Sequence, residues 1–230
     1  MNNRIIVALD TPGYDSAKKL VEQLGDIISF YKVGLELFIS DGDRVLDMLK
    51  ELNKRIFLDL KLHDIPNTVK RAVSSISAKG VSLATCHTSG GFDMMKAAAD
   101  SAQENDTELD LIGVTVLTSI NEDILRQELL NQTSIPKMVV HLAGLARDAG
   151  LKGIVASALE LPLLREHFDN DFLIVTPGIR PSGSDIGDQK RVVTPKQAFD
   201  NGASYIVVGR PINAASNPYD AASKIIDEIC

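Results

Sequence analysis

The chain has 230 residues, 44% of them hydrophobic, which is enough to bury one large core, and few of them are aromatic. The formal net charge of -7 argues against a general nucleic-acid-binding protein, because such a protein would carry a basic stripe. The two cysteines, Cys86 and Cys230, show neither a disulfide framework nor a zinc spacing. No signal-peptide pattern or membrane-spanning apolar run is present, so we expect a cytoplasmic protein without a membrane partner.

Short apolar runs alternate with amphipathic stretches along the whole chain. The runs are rich in Val, Ile and Leu, which is typical of parallel strands that are covered on both faces. Eight of them are predicted to be strands, at residues 5–9, 29–33, 55–60, 81–86, 109–116, 153–157, 172–176 and 205–208.

The amphipathic stretches between these runs predict helices. Several begin at Asp, Ser or Pro and end before glycine, which matches the usual start and stop signals of helices. The predicted helices are residues 16–24, 43–52, 65–78, 92–104, 136–149, 161–167, 195–201 and 218–229, with a short extra helix near 122–130. The glycines that fit the stop role are Gly25, Gly80, Gly150 and Gly202.

Strand–helix alternation throughout the chain implies a parallel sheet. Eight repeats favour closure into a (β/α)8 TIM barrel, an α/β fold, and we expect residues 1–230 to form a single domain because no linker interrupts them. The alternative is a doubly wound open sheet. The absence of Gly-x-Gly-x-x-Gly after the first strand weakens a dinucleotide-binding version of that alternative.

Charged residues stand at the carboxyl ends of the first three predicted strands, where the active sites of such barrels lie. Asp10 follows the first strand, Lys32 lies on the second, and Asp59 and Lys61 lie two positions apart at the end of the third. Because strand side chains alternate faces, Asp59 and Lys61 point the same way. The group predicts either an ion-pair network at the barrel rim or a catalytic site, and the convergence of several charged strand ends favours the site.

Asp64 also has a structural interpretation. It precedes Ile65 and Pro66, so it could be the N-cap of the third helix, with the proline in the first turn. That role is compatible with a role in a site. His63 and His87 are weaker candidates, because no second histidine lies at a metal-ligand spacing, and we predict no metal site.

The loops after the seventh and eighth strands have the composition of a phosphate site. They contain Pro-Gly-Ile-Arg at residues 177–180 and the pair Gly209 and Arg210. Glycine lets backbone N–H groups approach an anion, and arginine offers forked donors to phosphate oxygens. The polar, glycine-rich stretch 181–189 is predicted to be a mobile lid over the substrate, with an ordinary surface loop as the alternative.

Six stretches spread over essentially the whole chain resemble the bacterial type of the orotidine 5'-monophosphate decarboxylase family. Asp-x-Lys-x-x-Asp alone is shared with related phosphosugar enzymes, but its combination with Lys32 and both phosphate loops is specific. The stretches are VALD at 7–10, YKVG at 31–34, DLKLHDIPNT at 59–68, VLTS at 116–119, TPGIR at 176–180 and VVGRPI at 207–212.

The resemblance implies an enzyme that converts orotidine 5'-phosphate to uridine 5'-phosphate with loss of CO2, the last step of pyrimidine nucleotide synthesis, without metal or cofactor. Lys61 would protonate C6, and Asp59 and Lys32 would complete the charged array. The resemblance also implies a homodimer with sites at the interface. The residues that would reach into the neighbouring site are Asp64, Ile65 and Thr68.

The resemblance further assigns substrate contacts. Asp10 and Lys32 would contact the ribose hydroxyls, and either Thr118 or Ser119 would contact the pyrimidine. The phosphate would be held by Gln189, Gly209 and Arg210, with Arg180 nearby. Two alternatives stay open: a metal-dependent phosphosugar decarboxylase or aldolase of the same superfamily, in which an acid on strand two binds magnesium, and a non-catalytic nucleotide-binding barrel.

Overall fold

The computed structural model describes residues 4–105, 108–181 and 193–229. Within them, parallel strands close into a barrel in chain order, each pairing with the next and the eighth pairing with the first. This closure confirms the predicted (β/α)8 barrel and excludes the open, doubly wound sheet. The strands are β1 (Ile5–Ala8), β2 (Phe30–Gly34), β3 (Arg55–Leu62), β4 (Leu83–His87), β5 (Asp110–Val114), β6 (Gly153–Val155), β7 (Leu173–Thr176) and β8 (Tyr205–Val208).

Helices connect the strands around the outside of the barrel. They are α1 (Tyr14–Leu24), α2 (Leu35–Glu51), α3 (Pro66–Ser77), α4 (Phe92–Glu104), α5 (Ile135–Asp148), α6 (Leu161–Arg165), α7 (Pro195–Asp200), α8 (Arg210–Asn213) and α9 (Pro218–Ile229). The four glycines predicted to follow helices have positive φ angles, which suits the residue type that ends helices in this way. In the described part of the chain, no helix has the length and apolarity needed to cross a membrane.

The two faces of the strands pack into different layers. Phe30 and Phe57 belong to a compact apolar cluster, whereas Tyr31 belongs to the large cluster that also contains helix residues. Because strand side chains alternate, the compact cluster fills the barrel interior and the large one lies between strands and helices. We call the compact cluster the interior layer; its buried members are Ile6, Ala8, Phe30, Phe57, Leu83, Ile112, Val175 and Val207.

Helix α2 differs most from the sequence-based prediction, which began it at residue 43. It begins at Leu35 and contains a kink at Asp41, where φ is -141° and ψ is 21°. The carboxylate of Asp41 accepts a hydrogen bond from the backbone N–H of Tyr14 at 3.0 Å, at the start of α1. The first two turns of α2 also leave Leu35 and Ile39 exposed, so they lack the amphipathic pattern on which the prediction depended.

A second difference concerns the short helix predicted near residues 122–130. The structure contains a π-helical turn at Ile124–Glu128 instead of a longer α-helix. Its end is marked by Leu130, a non-glycine residue with a φ of 51°. The N-cap residue of α5, Ser134, makes no side-chain capping hydrogen bond. The backbone N–H of Ile135 at the start of α5 instead donates to the Glu122 carboxylate at 2.9 Å.

We predict that Gly153→Ala destabilises the barrel by about 1–3 kcal/mol, the usual cost of overpacking. Gly153 pairs with Leu173 across β6 and β7. A Cβ atom at this position would lie 2.2 Å from the carbonyl oxygen of Leu173, and that oxygen belongs to the barrel backbone and cannot move aside cheaply. Chemical unfolding followed by circular dichroism would measure the change.

The matched control is Gly144→Ala, inside α5. A Cβ atom there meets nothing within 4 Å, and alanine is favoured over glycine in a helix by roughly 0.5–1 kcal/mol. We therefore expect the control to be at least as stable as the wild type. Equal stability of the Gly153→Ala variant and the wild type would contradict the close strand contact.

Candidate active site

Four charged side chains, on or just after β1, β2 and β3, meet at the carboxyl end of the barrel. The Nζ atom of Lys32 lies 3.1 Å from Oδ1 of Asp10 and 3.8 Å from Oδ2 of Asp59. The Nζ atom of Lys61 lies 2.8 Å from the same Oδ2 of Asp59. The side chains thus form an alternating row of acid and ammonium, which we call the charged array.

The interior layer explains why these side chains converge. Lys32 lies two residues beyond Phe30, and Asp59 lies two residues beyond Phe57, so both continue the inward-facing positions of their strands. The array therefore lies directly on top of the apolar filling of the barrel. Asp59 and Lys32 are 12% and 14% exposed in their side chains, whereas Asp10 at the rim is 58% exposed.

Burial makes the pairing within the array necessary. An ionised carboxylate with the exposure of Asp59 is costly unless it is compensated by opposite charge and hydrogen bonds. Lys32 and Lys61 supply the charge, and Thr85 supplies a hydrogen bond from its hydroxyl to Oδ1 of Asp59 at 3.0 Å. The array is therefore held in one geometry before any ligand binds.

Lys61 has an unusual backbone conformation at this point. Its φ of 52° lies in the left-handed region, which non-glycine residues adopt only at a cost of roughly 1–2 kcal/mol. The pairing register between β3 and β4 shifts here, because Leu58 pairs with Ala84 whereas Leu62 pairs with Cys86. The backbone N–H of Lys61 donates to the Thr85 hydroxyl at 2.9 Å instead of to the backbone of β4.

Gly34, at the end of β2, leaves room for the array. A Cβ atom at Gly34 would lie 3.0 Å from Nζ of Lys32 and 3.9 Å from Oδ1 of Asp10. The missing side chain therefore allows the Lys32 ammonium to lie between the two carboxylates.

Two adjoining cavities open above the array. The smaller, of about 240 Å³, is lined by the charged side chains of Lys32, Asp59 and Lys61 and by apolar side chains such as Val155 and Val207. The larger, of about 510 Å³, is lined by polar and apolar residues of the loops after β5, β6 and β7, by α5 and by Arg210. Thr118 and Pro177 line both cavities, whereas Ser119 lines only the larger one.

Three of the residues predicted to bind phosphate, Arg180, Gly209 and Arg210, follow β7 and β8, and Arg210 lines the larger cavity. Gly209 approaches the charged array, because a Cβ atom on it would lie 3.3 Å from Oδ2 of Asp10. Arg180 is 7% exposed, and no carboxylate of the described residues forms an ion pair with its guanidinium. Gln189 and the predicted lid beyond Pro181 lie outside the described residues.

Asp64, Ile65 and Thr68 are not brought to the charged array of their own chain. All three are exposed, and none lines either cavity. The prediction that Asp64 is the N-cap of α3 is wrong. The N-cap is Ile65, followed by Pro66 in the first turn, and the Asp64 carboxylate accepts a hydrogen bond from the Ile65 N–H at 2.7 Å.

Two further titratable groups lie on β4. Cys86 packs in the large cluster between strands and helices, and His87 interacts electrostatically with Lys61 and Asp59. Burial raises the pKa of the Cys86 thiol to about 12, so this cysteine stays protonated and is a poor nucleophile. Burial, together with electrostatic repulsion from His63 and Lys61, lowers the pKa of His87 below its ordinary value, although Asp59 acts in the opposite direction. His87 is therefore neutral at neutral pH and adds no further cation beside Lys61.

Sequence reasoning missed Thr85 and the apolar wall of the smaller cavity. Thr85 lies two residues beyond Leu83 of the interior layer, so the alternation of strand side chains would have placed it inward. The same rule applies to Val114 on β5, two residues beyond Ile112. Thr85 and Val114 carry no charge, so a prediction based on charged strand ends did not include them.

Comparison with known proteins shows the family. The family model described as "Orotidine 5'-phosphate decarboxylase / HUMPS family" matches residues 3–225. A Moorella thermoacetica protein named orotidine 5'-phosphate decarboxylase is 46% identical over 232 residues, covering 99% of this chain and 92% of that protein. A protein of the same name from Streptococcus sanguinis is 46% identical over 227 residues, covering 96% of both chains.

A solved structure of a protein with the same name has the same fold as this chain. The crystal structure of orotidine 5'-phosphate decarboxylase from Lactobacillus acidophilus superimposes with a TM-score of 0.88 at 39% sequence identity, covering 99% of each chain. The sequence match extends through every strand that carries the charged array. The chain therefore belongs to the orotidine 5'-phosphate decarboxylase / HUMPS family.

Proposed function

We propose that this protein is a carboxy-lyase that decarboxylates orotidine 5'-phosphate to uridine 5'-phosphate in pyrimidine biosynthesis, without a metal or cofactor. The observation that carries the proposal is the alternating row of Asp10, Lys32, Asp59 and Lys61 at the base of the ligand opening. The names of the similar proteins support it. Cytoplasmic location stays a prediction from the sequence.

Lys32 favours this reaction over the metal-dependent alternative. A phosphosugar enzyme of the superfamily would use an acid on strand two as a magnesium ligand. Here the strand-two position holds an ammonium that lies within 4 Å of both Asp10 and Asp59. A divalent cation at these carboxylates would have to displace Lys32 and overcome its repulsion.

Lys61 is the proposed acid. When the bond between C6 and the carboxylate carbon breaks, CO2 leaves and the electron pair stays at C6. An ammonium held close to that atom stabilises the developing negative charge and then donates a proton, forming the C6–H bond of the product. Asp59, 2.8 Å from the Lys61 Nζ, fixes the position of this ammonium, which regains its proton from solvent.

The two ends of the opening suit the two ends of a nucleotide. The smaller cavity combines the charged array with an apolar wall, which fits a pyrimidine ring. We assign the ring contact to Thr118, which borders both cavities. We assign the ribose hydroxyls to Asp10 and Lys32, which form an ion pair at the barrel rim. Arg210 and the buried Arg180 supply guanidinium groups for the phosphate. Gly209 offers its backbone N–H, and we keep Gln189 as a further phosphate contact.

A homodimer would complete the site. Exposed apolar side chains follow β2, β3 and β4, as Asp64 does, and a second copy of the chain would remove them from water. They are Leu35, Ile39, Ile65 and Phe92. We propose that a second copy of the chain covers this surface and that Asp64, Ile65 and Thr68 of each subunit contribute to the site of the other.

The first prediction is that the purified protein consumes orotidine 5'-phosphate and that Lys61→Ala lowers kcat by about 10²- to 10⁴-fold, the range of general acid catalysis. The variant should still bind uridine 5'-phosphate, because Lys61 is proposed to act on C6. Ultraviolet absorbance follows the reaction and titration calorimetry follows binding. Lys18→Ala, an exposed lysine on α1, is the control and should keep wild-type turnover.

The same assay distinguishes the metal-free decarboxylase from a metal-dependent phosphosugar enzyme. Activity that survives prolonged chelation supports the metal-free reaction. Activity that is lost with the chelator and restored by magnesium would favour the phosphosugar enzyme. Near-normal turnover of Lys61→Ala would remove Lys61 from the mechanism.

The second prediction concerns Arg210→Ala, which should raise KM for orotidine 5'-phosphate by roughly 10- to 100-fold, because hydrogen bonds to charged groups contribute about 1.5–3 kcal/mol. Turnover of the phosphate-free nucleoside orotidine should change little. Arg147→Ala, an exposed arginine on α5 that pairs with Asp148, is the matched control. An equal loss on both substrates would rule out phosphate binding by Arg210.

The third prediction tests the shared site by subunit mixing. Lys61→Ala and Asp64→Asn variants should each be nearly inactive. Mixed dimers should regain one intact site, giving roughly a quarter of wild-type activity after random assembly. If Asp64 instead serves the site of its own chain, no mixed dimer contains an intact site and activity stays at the level of the separate variants. Co-expression with two affinity tags isolates the mixed dimer.

A further inference from the structure

Thr85 on β4 connects the two central residues of the charged array through one side chain. Its hydroxyl oxygen accepts a hydrogen bond from the backbone N–H of Lys61 at 2.9 Å, and its hydroxyl donates to Oδ1 of Asp59 at 3.0 Å. The residue is fully buried, with 0% of its surface exposed, and lines neither cavity. It is therefore placed to act on Asp59 and Lys61 and not on a ligand.

The direction of both hydrogen bonds is fixed by chemistry. A backbone N–H can only donate, and an ionised carboxylate can only accept. The Lys61 N–H therefore uses a lone pair of the Thr85 oxygen, and the single hydroxyl hydrogen is available only to Asp59. A hydrogen bond to a carboxylate is also stronger than one between neutral groups.

The strand register explains why a side chain is needed here. Leu58 pairs with Ala84 and Leu62 pairs with Cys86, so Thr85 is the one residue of β4 opposite the segment from Asp59 to Lys61. The extra length of β3 turns the Lys61 backbone into the left-handed region, at a φ of 52°, and takes its N–H out of the regular ladder. The Thr85 hydroxyl satisfies that N–H in place of a backbone carbonyl.

We propose that Thr85 is a positioning residue for the decarboxylation, which holds the strained Lys61 backbone and the Asp59 carboxylate in one fixed arrangement. The inference rests on the proposed function, in which Lys61 protonates C6. One hydroxyl sets both where the Lys61 side chain leaves the strand and which way its partner carboxylate faces. Small errors in such positions reduce turnover strongly, because the proton must be delivered to one atom.

Thr85→Val removes the hydroxyl and keeps the branched shape. We expect kcat for orotidine 5'-phosphate to fall by about 10- to 100-fold, while KM and the Kd of uridine 5'-phosphate change less than about threefold, since Thr85 does not line the ligand cavities. Thr85→Ser keeps the hydroxyl and should restore kcat to within about fivefold of the wild type. A loss of packing alone would not be repaired by the smaller serine.

The matched control is Ser101→Ala. Ser101 on α4 is also buried, and its hydroxyl donates to the carbonyl oxygen of Lys70 on α3 at 2.9 Å, between outer helices. This variant loses one buried side-chain hydrogen bond and should lose thermal stability without a change in kcat. Comparing the two variants separates a general effect of a lost hydroxyl from an effect on the charged array.

The outcomes are distinct. Wild-type kcat in Thr85→Val, or a loss of kcat in Thr85→Ser as large as in Thr85→Val, would overturn the positioning role. If Thr85→Val fails to fold, as judged by circular dichroism, Thr85→Ala is used with the same expectations. A folded variant that no longer binds uridine 5'-phosphate would also overturn the positioning role. A wild-type protein that does not consume orotidine 5'-phosphate would overturn the decarboxylase assignment itself, independently of the variants.

Discussion

A carboxylate that is almost removed from water needs charge and hydrogen bonds around it, and the Asp59 side chain is only 12% exposed. Its Oδ2 lies near the ammonium groups of both Lys61 and Lys32, and its Oδ1 accepts from Thr85. Three neighbouring strands, β2, β3 and β4, must therefore keep a fixed register for this group to remain satisfied. The closed barrel provides that register, because no strand can shift without breaking pairing on both of its sides.

Much of the fold was predictable because its signals are local. Apolar runs of Val, Ile and Leu mark the strands, and glycines such as Gly25 and Gly150 mark helix ends by their positive φ. The beginning of α2 was not predictable in this way. Its first turns expose Leu35 and Ile39, and its kink at Asp41 depends on a hydrogen bond to Tyr14, which is distant in sequence.

The features of the candidate site also separate into those with a local sequence signal and those that depend on contacts distant in sequence. The spacing of Asp59 and Lys61 predicted that both face the barrel mouth, and the strand ends and loop composition pointed to Lys32 and the phosphate loops. The left-handed backbone of Lys61 and its hydrogen bond to Thr85 depend on the register shift between β3 and β4, which has no signature in either strand alone. The cap of α3 was misassigned because Asp64 bonds to its immediate neighbour, Ile65, instead of to the helix.

The interior layer has a consequence for electrostatics. Phe30, Phe57 and Leu83 fill the barrel below the charged array, so Lys32, Asp59 and Lys61 have apolar side chains on that side and the ligand opening on the other. The apolar interior layer screens the charges of Lys61 and Asp59 very little. Low-dielectric walls of this kind focus the field of the two charges into the solvent-filled opening. Once a ligand displaces that water, screening is lost on the remaining side as well. The apolar interior layer that fills the barrel thereby also determines how strongly its charges act on a bound molecule.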